Sequence, residues 1–164
     1  MKKLIAVCGS NEVSSTRIRD VAEKVGIEIA RKNGILVCGG LGGVMECASR
    51  GAKKYHGITV GVLPDENINA ANEFIDICIP TSLGKLRNFF VVNIADAVIG
   101  VSGSWGTLSE LSMALNLQKP VIIIRNTGGI VDWLVNTPID SQANKFLIAN
   151  NPSDAVRLAF SLIK

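Results

Sequence analysis

The residues best suited to chemistry in this chain lie between Gly84 and Pro120, and their centre reads Ser102-Gly103-Ser104-Trp105-Gly106-Thr107-Leu108-Ser109-Glu110. The apolar run before it, Asp96 to Val101, suits a buried parallel strand, and Leu108 to Leu117 carries helix formers at helical spacing. A Gly/Ser segment where a strand passes into a helix is suited to bind an anion. The first-turn amides have no intrahelical acceptors, the helix dipole is positive there, and glycines let an anion approach the backbone. The expected ligand is a nucleotide-sized anion.

Two further turns share that composition: Gly9-Ser10-Asn11 and Gly39-Gly40-Leu41-Gly42-Gly43. Each follows a short apolar run, so all three are expected at the carboxyl ends of strands, where open parallel sheets bind ligands. Any one glycine is explained by a tight turn that needs positive φ. Three such turns on one rim favour a ligand. The second turn lacks the G-x-G-x-x-G spacing, with Met45 standing where the third glycine would be, and no G-x-x-x-x-G-K-[ST] occurs in the chain. Dinucleotide and P-loop chemistry are thereby disfavoured.

Glu110 has two readings. Thr107-Leu108-Ser109-Glu110 fits a capping box, in which the Thr and Glu side chains close each other's backbone donors. A catalytic carboxylate is the alternative, and it would sit away from the phosphate, at ribose hydroxyls or an anomeric carbon, as cleavage of an N-glycosidic bond requires. Arg87, in Leu83-Gly84-Lys85-Leu86-Arg87-Asn88-Phe89-Phe90, reads from its own segment as part of a solvated helix face, although its planar charged fork suits phosphate or a departing base. Arg17, Arg19, Arg50 and His56 read as surface residues. Trp105 either stacks on a base or packs beneath the neighbouring helix.

These residues must be placed by the alternation around them. Strands are expected over Lys3 to Cys8, Ile35 to Cys38, Thr59 to Leu63, Phe74 to Ile79, Ala97 to Val101 and Pro120 to Ile124, with a last edge strand over Lys145 to Ile148. Helices are expected over Ser15 to Lys32, Gly43 to Tyr55, Leu83 to Ala95, Leu108 to Leu117, Ile130 to Val135 and Ser153 to Ile163. Continuously apolar strands separated by helices predict an α/β fold with a doubly wound, mostly parallel sheet in three layers. The polar, Asn-rich stretch from Asp65 to Asn72 is expected to form a rim loop that closes over a ligand.

The chain of 164 residues, 48% apolar, is read as one domain over 1–164 with a large core, in keeping with a mean hydropathy of +0.33. The net charge of +3 is dispersed and only 5% of residues are aromatic, which disfavours a nucleic-acid partner. Only five apolar residues separate Lys3 from Gly9, too few for a leader or a membrane span, so a cytoplasmic protein without a membrane partner is expected. Cys8, Cys38, Cys47 and Cys78 lack Cys-x-x-Cys spacing and His56 is the single histidine. No metal site is expected, and the thiols read as buried and free, with Cys8 and Cys38 near a ligand pocket.

With Gly39-Gly40-Leu41-Gly42-Gly43-Val44-Met45, Arg87 and Gly103-x-x-Gly106-Thr107-x-x-Glu110 in order, the chain resembles the LOG-like family over nearly its whole length. Its members were long labelled possible lysine decarboxylases. The resemblance implies a dimeric Rossmann-like protein that hydrolyses a nucleoside 5′-monophosphate to free base and ribose 5-phosphate, without a cofactor. Similar folds occur as molybdenum cofactor carriers, which bind without catalysis. Arg87 and Glu110 are then the implied catalytic pair, Gly103, Ser104, Gly106 and Thr107 the implied phosphate turn, and Gly9, Ser10, Gly39, Gly40, Gly42, Gly43 and Met45 the implied lining. The family's Pro-Gly-Gly is Ser102-Gly103-Ser104 here, and its Arg-Lys pair is Arg87-Asn88. The Arg-Asn form resembles the branch that includes the carriers. A Schiff-base lysine for pyridoxal phosphate has no counterpart in the motifs.

Overall fold

A computed structural model describes residues 1–137 and 146–163. Seven parallel strands form one sheet in the order β4-β3-β2-β1-β5-β6-β7. They are β1 (Leu4–Gly9), β2 (Ile35–Cys38), β3 (Ile58–Leu63), β4 (Ile77–Pro80), β5 (Ala97–Val101), β6 (Val121–Ile124) and β7 (Leu147–Ala149). The helices are α1 (Thr16–Arg31), α2 (Gly43–Lys53), α3 (Asn88–Asn93), α4 (Trp105–Asn116), α5 (Gly129–Asn136) and α6 (Pro152–Leu162). The strand order reverses between β1 and β5, which pair from Ile5 with Ala97 through Gly9 with Val101. That reversal is the switch point of a doubly wound sheet.

Successive residues of a strand face opposite sides, so one sequence serves both layers. Ile5 and Val7 join Leu36, Ile99 and Ile122 beneath α1, α2 and α6. Ala6 and Cys8 join Val37, Val98 and Ile123 beneath α3, α4 and α5. Strands buried on both faces account for the unbroken apolar runs of the sequence.

Three elements differ from expectation. The helix expected over Leu83 to Ala95 is a 3₁₀ turn, Gly84–Arg87, followed by α3. Ser82 and Gly84 both have positive φ, 54° and 53°, at the entry to the turn, and Arg87 at its end is buried. Strand β4 is shorter and later than Phe74 to Ile79. At the far edge the expected strand is observed as Leu147–Ala149, while Lys145 lies outside the described residues. The loop from Asp65 to Asn72 contains a 3₁₀ turn, Ile68–Ala70, and its end is tied to the second glycine turn. Asn72 N donates to Gly40 O at 2.9 Å, and Asn72 Nδ2 donates to Leu41 O at 2.7 Å.

Helices α1 and α2 approach until their backbones nearly touch. A Cβ at Gly26 would lie 1.9 Å from Ala48 O, and one at Gly51 would lie 1.9 Å from Glu23 O. The two glycines are reciprocal, each admitting the other helix. In a helix, Gly→Ala ordinarily stabilises by about 1 kcal/mol. Here a collision with fixed backbone reverses the sign, because overpacking of a close contact costs about 1–3 kcal/mol or more. Gly51→Ala is expected to lower the melting temperature by about 5 °C or more in a chain of this size; an unchanged or raised melting temperature in a thermal melt would show that α1 and α2 can separate at little cost.

Candidate functional site

At the switch point the first two glycine turns lock together. Gly9 ends β1 with a Cβ position only 2.5 Å from Val44 Cγ1 and 2.7 Å from Val101 O. Val44 N donates to Ser10 O at 2.9 Å, and Gly42 N donates to Asn11 Oδ1 at 2.9 Å. Gly43, at φ 62°, completes the contact. These bonds occupy part of the α2 amino end. The cleft between the two turns, about 430 Å³, is lined by Arg19 and Arg50 but also by Glu12 and Glu46, so its charge is mixed. Arg50 is moreover paired with Glu23 at 2.8 Å, and Arg19 donates from Nε to Val13 O at 2.9 Å.

The third turn is held differently. Ser102 and Gly103 have φ of 54° and 96°. Ser102 N donates to Thr127 Oγ1 at 2.9 Å, and that hydroxyl donates to Ile124 O at 2.7 Å. The carbonyls of Gly103 and Ser102 accept from Ile130 N at 2.9 Å and Val131 N at 3.2 Å. The first amides of α5 are therefore committed to bracing the turn. The amino end of α4 is not closed in this way: Ser104 caps it without a side-chain hydrogen bond, and its first turn holds no acidic residue. Ser104, Trp105 and Gly106 are exposed. Its dipole and first-turn donors face solvent, in the manner of helix ends that bind anions.

Helix α4 begins at Trp105, which makes Thr107 its third residue and not its cap. The capping box therefore does not form. Glu110 falls a turn further along, buried at 6% exposure, and Arg87 is buried at 8%. Arg87 Nη1 lies 3.6 Å from Glu110 Oε1, an ion-pair distance longer than a hydrogen bond. Among the described residues, Arg87 Nε has no hydrogen-bond partner. The solvated-face reading of Arg87 is thus overturned by the 3₁₀ turn.

Burial raises the Glu110 carboxyl to about 7, against the opposing attraction of Arg87 and a hydrogen bond from Cys8. Burial, with the neighbouring Glu110 charge second, pushes the Cys8 thiol well up, and burial raises Cys38 as well. Both thiols are consequently neutral near pH 7, and Arg87 and Glu110 carry the charge of the pocket.

Other expected site residues are dispersed. Gly39 lies directly against Arg87, and Gly40 has φ 76°. Thr107 is 2% exposed, its Oγ1 only 2.4 Å from the Cβ position of Gly103. Met45 is buried in the core cluster beneath α1 and α2. Trp105 is 80% exposed, so it does not pack under a helix. His56 is exposed at the end of α2. Asn11, Asn72 and Thr127 escape the sequence pattern, since each acts across more than 20 residues of chain, although Asn and Thr after strand ends are a general signal for turn-bracing side chains.

The SLOG cluster4 family model matches residues 2–156. An uncharacterized protein of Archaeoglobus fulgidus is 41% identical over 126 residues, which are 73% of this chain and 82% of that protein. Among solved structures, the molybdenum cofactor binding protein of the phototrophic bacterium Rippkaea orientalis is similar at 36% identity and a TM-score of 0.89, covering 100% of this chain and 99% of that one. The molybdenum cofactor carrier protein of Chlamydomonas reinhardtii is similar at 28% identity and a TM-score of 0.84, with 99% and 98% covered.

The raised carboxyl makes stability depend on pH. Unfolded, Glu110 ionises near 4.5, whereas folded it holds its proton to about 7. The folded state thus binds more protons between those values, and the stabilisation by the protonated form, complete below pH 4.5, is lost as pH rises through about 7. The loss is on the order of 3 kcal/mol. Glu110→Gln is expected to flatten this pH dependence, measured by denaturant melts from pH 4 to 8; parallel curves for the two proteins would mean that Glu110 ionises normally.

Proposed function

Because the chain belongs to the SLOG cluster4 family, we propose that it binds, and carries without turnover, a small phosphorylated ligand such as the molybdenum cofactor or a nucleoside 5′-monophosphate. The observation that carries this reading is the unblocked amino end of α4. Its neighbouring turn gives its carbonyls to α5, its first turn lacks a carboxylate, and a buried guanidinium lies nearby. A phosphate there accepts from the backbone around Gly103, Ser104, Gly106 and Thr107. Gly9, Ser10, Gly39, Gly40, Gly42 and Gly43 form the rim, and Trp105 offers an exposed ring to a pterin or purine face. Molybdenum in such a ligand is cargo. The molybdenum cofactor binding protein and carrier protein named above, similar over nearly their full lengths, support the reading, and four free cysteines are in keeping with a cytoplasmic setting.

A second reading, hydrolysis of a nucleoside 5′-monophosphate, is favoured by one observation: Glu110 sits half ionised near neutral pH beside Arg87. As a carboxylate it would stabilise positive charge at the anomeric carbon. Water would add there, the N-glycosidic bond would break, and the base would leave with the bonding electrons and a proton, giving ribose 5-phosphate. Such an enzyme gains activity as pH rises through about 7. For either reading a homodimer is proposed through the exposed Leu83, Leu86, Phe89, Phe90 and Ile94, an apolar face beside the site.

Ser104→Asp separates fold from ligand. Aspartate caps as well as serine and its charge suits the helix dipole, so the melting temperature should hold or rise, while a fixed negative charge at the helix end should weaken binding of a phosphorylated ligand by about 10- to 100-fold. Titration calorimetry with molybdenum cofactor and with nucleoside 5′-monophosphates reads this, and unchanged affinity would remove the phosphate from α4. Base release assayed alongside, in wild type and Glu110→Gln, decides between the readings: release that disappears in the variant replaces the carrier with the enzyme. For assembly, Leu86→Glu should halve the mass measured by light scattering, whereas a monomeric wild type ends the dimer reading.

A further inference from the structure

A Cβ built on Gly39 would lie 2.3 Å from Arg87 Nη2, 2.4 Å from Nη1 and 2.6 Å from Cζ. The guanidinium thus occupies the space of the missing side chain. Backbone conformation does not require glycine here, because Gly39 is absent from the positive-φ residues. It also differs from its neighbours in the glycine turns, since Gly43 meets the backbone of Ser10 and Asn11, and Gly9 meets Val44 and the carbonyl of Val101.

Arg87 needs such a seat. An arginine with an unpartnered buried Nε and a carboxylate only at 3.6 Å has reason to swing toward water, where its long stem permits it. A side chain on the end of β2 would drive it out.

We infer that Gly39 is a positioning residue, whose missing Cβ seats the Arg87 guanidinium between the end of β2 and Glu110. Its role is to aim the arginine and not to touch phosphate itself. The seat stands on geometry alone; its effect on ligand rests on the phosphorylated-ligand reading above.

Gly39→Ala tests it, because alanine accepts that backbone and the atoms displaced are the tip of a side chain. The Nε–H resonance of Arg87, assigned by its loss in Arg87→Ala, should shift, and its exchange with solvent should quicken about tenfold or more. The groups facing Glu110 are Arg87 from the 3₁₀ turn and Cys8 from β1, with Cys38 of β2 and Glu110 also feeling one another's charge. Both thiols stay neutral, so retreat of Arg87 should move the Glu110 titration upward in carboxyl carbon NMR. Affinity for adenosine 5′-monophosphate should fall about tenfold or more. A double-mutant cycle guards against simple misfolding: alanine at 39 should lower the melting temperature in wild type but not in Arg87→Ala.

An unmoved Arg87 resonance and Glu110 titration in Gly39→Ala, or an equal cost of alanine with and without Arg87, overturns the inference. So does failure of Gly39→Ala to fold in both backgrounds, whereas folding restored by Arg87→Ala supports the seat. If Arg87 moves and nucleotide affinity does not, the seat stands and it is the ligand reading that fails.

Discussion

The site turns on one constraint: a guanidinium and a carboxyl share a buried pocket, Arg87 and Glu110 at 3.6 Å, with fewer hydrogen bonds than usually offset removal from water. Burying charges costs several kcal/mol for each, and mutual attraction compensates only with good geometry and satisfied donors. Here geometry is loose and Nε is unpartnered. The carboxyl answers by holding its proton to about 7. Below that value a neutral carboxyl beside the guanidinium offers no repulsion to an anion.

The architecture exists to hold that arrangement. The pair comes from two elements packed on the same sheet face, the 3₁₀ turn before α3 and the second turn of α4, and Cys8 rises to it from β1. On the opposite face α1 and α2 close through reciprocal glycines at 26 and 51, which fixes the second glycine turn against the first. Helix α5 braces the third turn with its own first amides, leaving α4 as the helix end on this side whose donors face outward. The same physics of unsatisfied termini thus commits the amides of α5 to the turn and leaves the amino end of α4 without a side-chain cap.

Carrier and hydrolase readings differ in what they ask of Glu110. For a carrier, a protonated carboxyl beside Arg87 avoids repelling a phosphorylated ligand. For a hydrolase the ionised form is required, and the same carboxyl is suited only as pH rises. The Arg87-Asn88 sequence and the molybdenum cofactor binding and carrier proteins of similar fold favour the first. Asn88 Nδ2 lies 3.5 Å from Gly106 O, in the first turn of α4.

The sequence alone determined the alternation of elements, the parallel sheet and the position of all three glycine turns, because apolar periodicity and turn composition are local properties read within ten or so residues. It also determined Glu110 and Arg87 as candidates, from residue type and order. Whether they meet was decided only by tertiary structure. The first turn of the expected helix is 3₁₀, with positive φ at its entry, and Arg87 at its end is buried; the true start of α4 at Trp105 moves Thr107 out of the cap and Glu110 out of the capping box. Met45, next to a glycine turn, is carried into the core by the helical phase of α2. The bracing by Asn11, Asn72 and Thr127, and the seat at Gly39, depend on chain segments 25 to 48 residues apart, brought together by a sheet whose strand order differs from its chain order, so local pattern could not contain them.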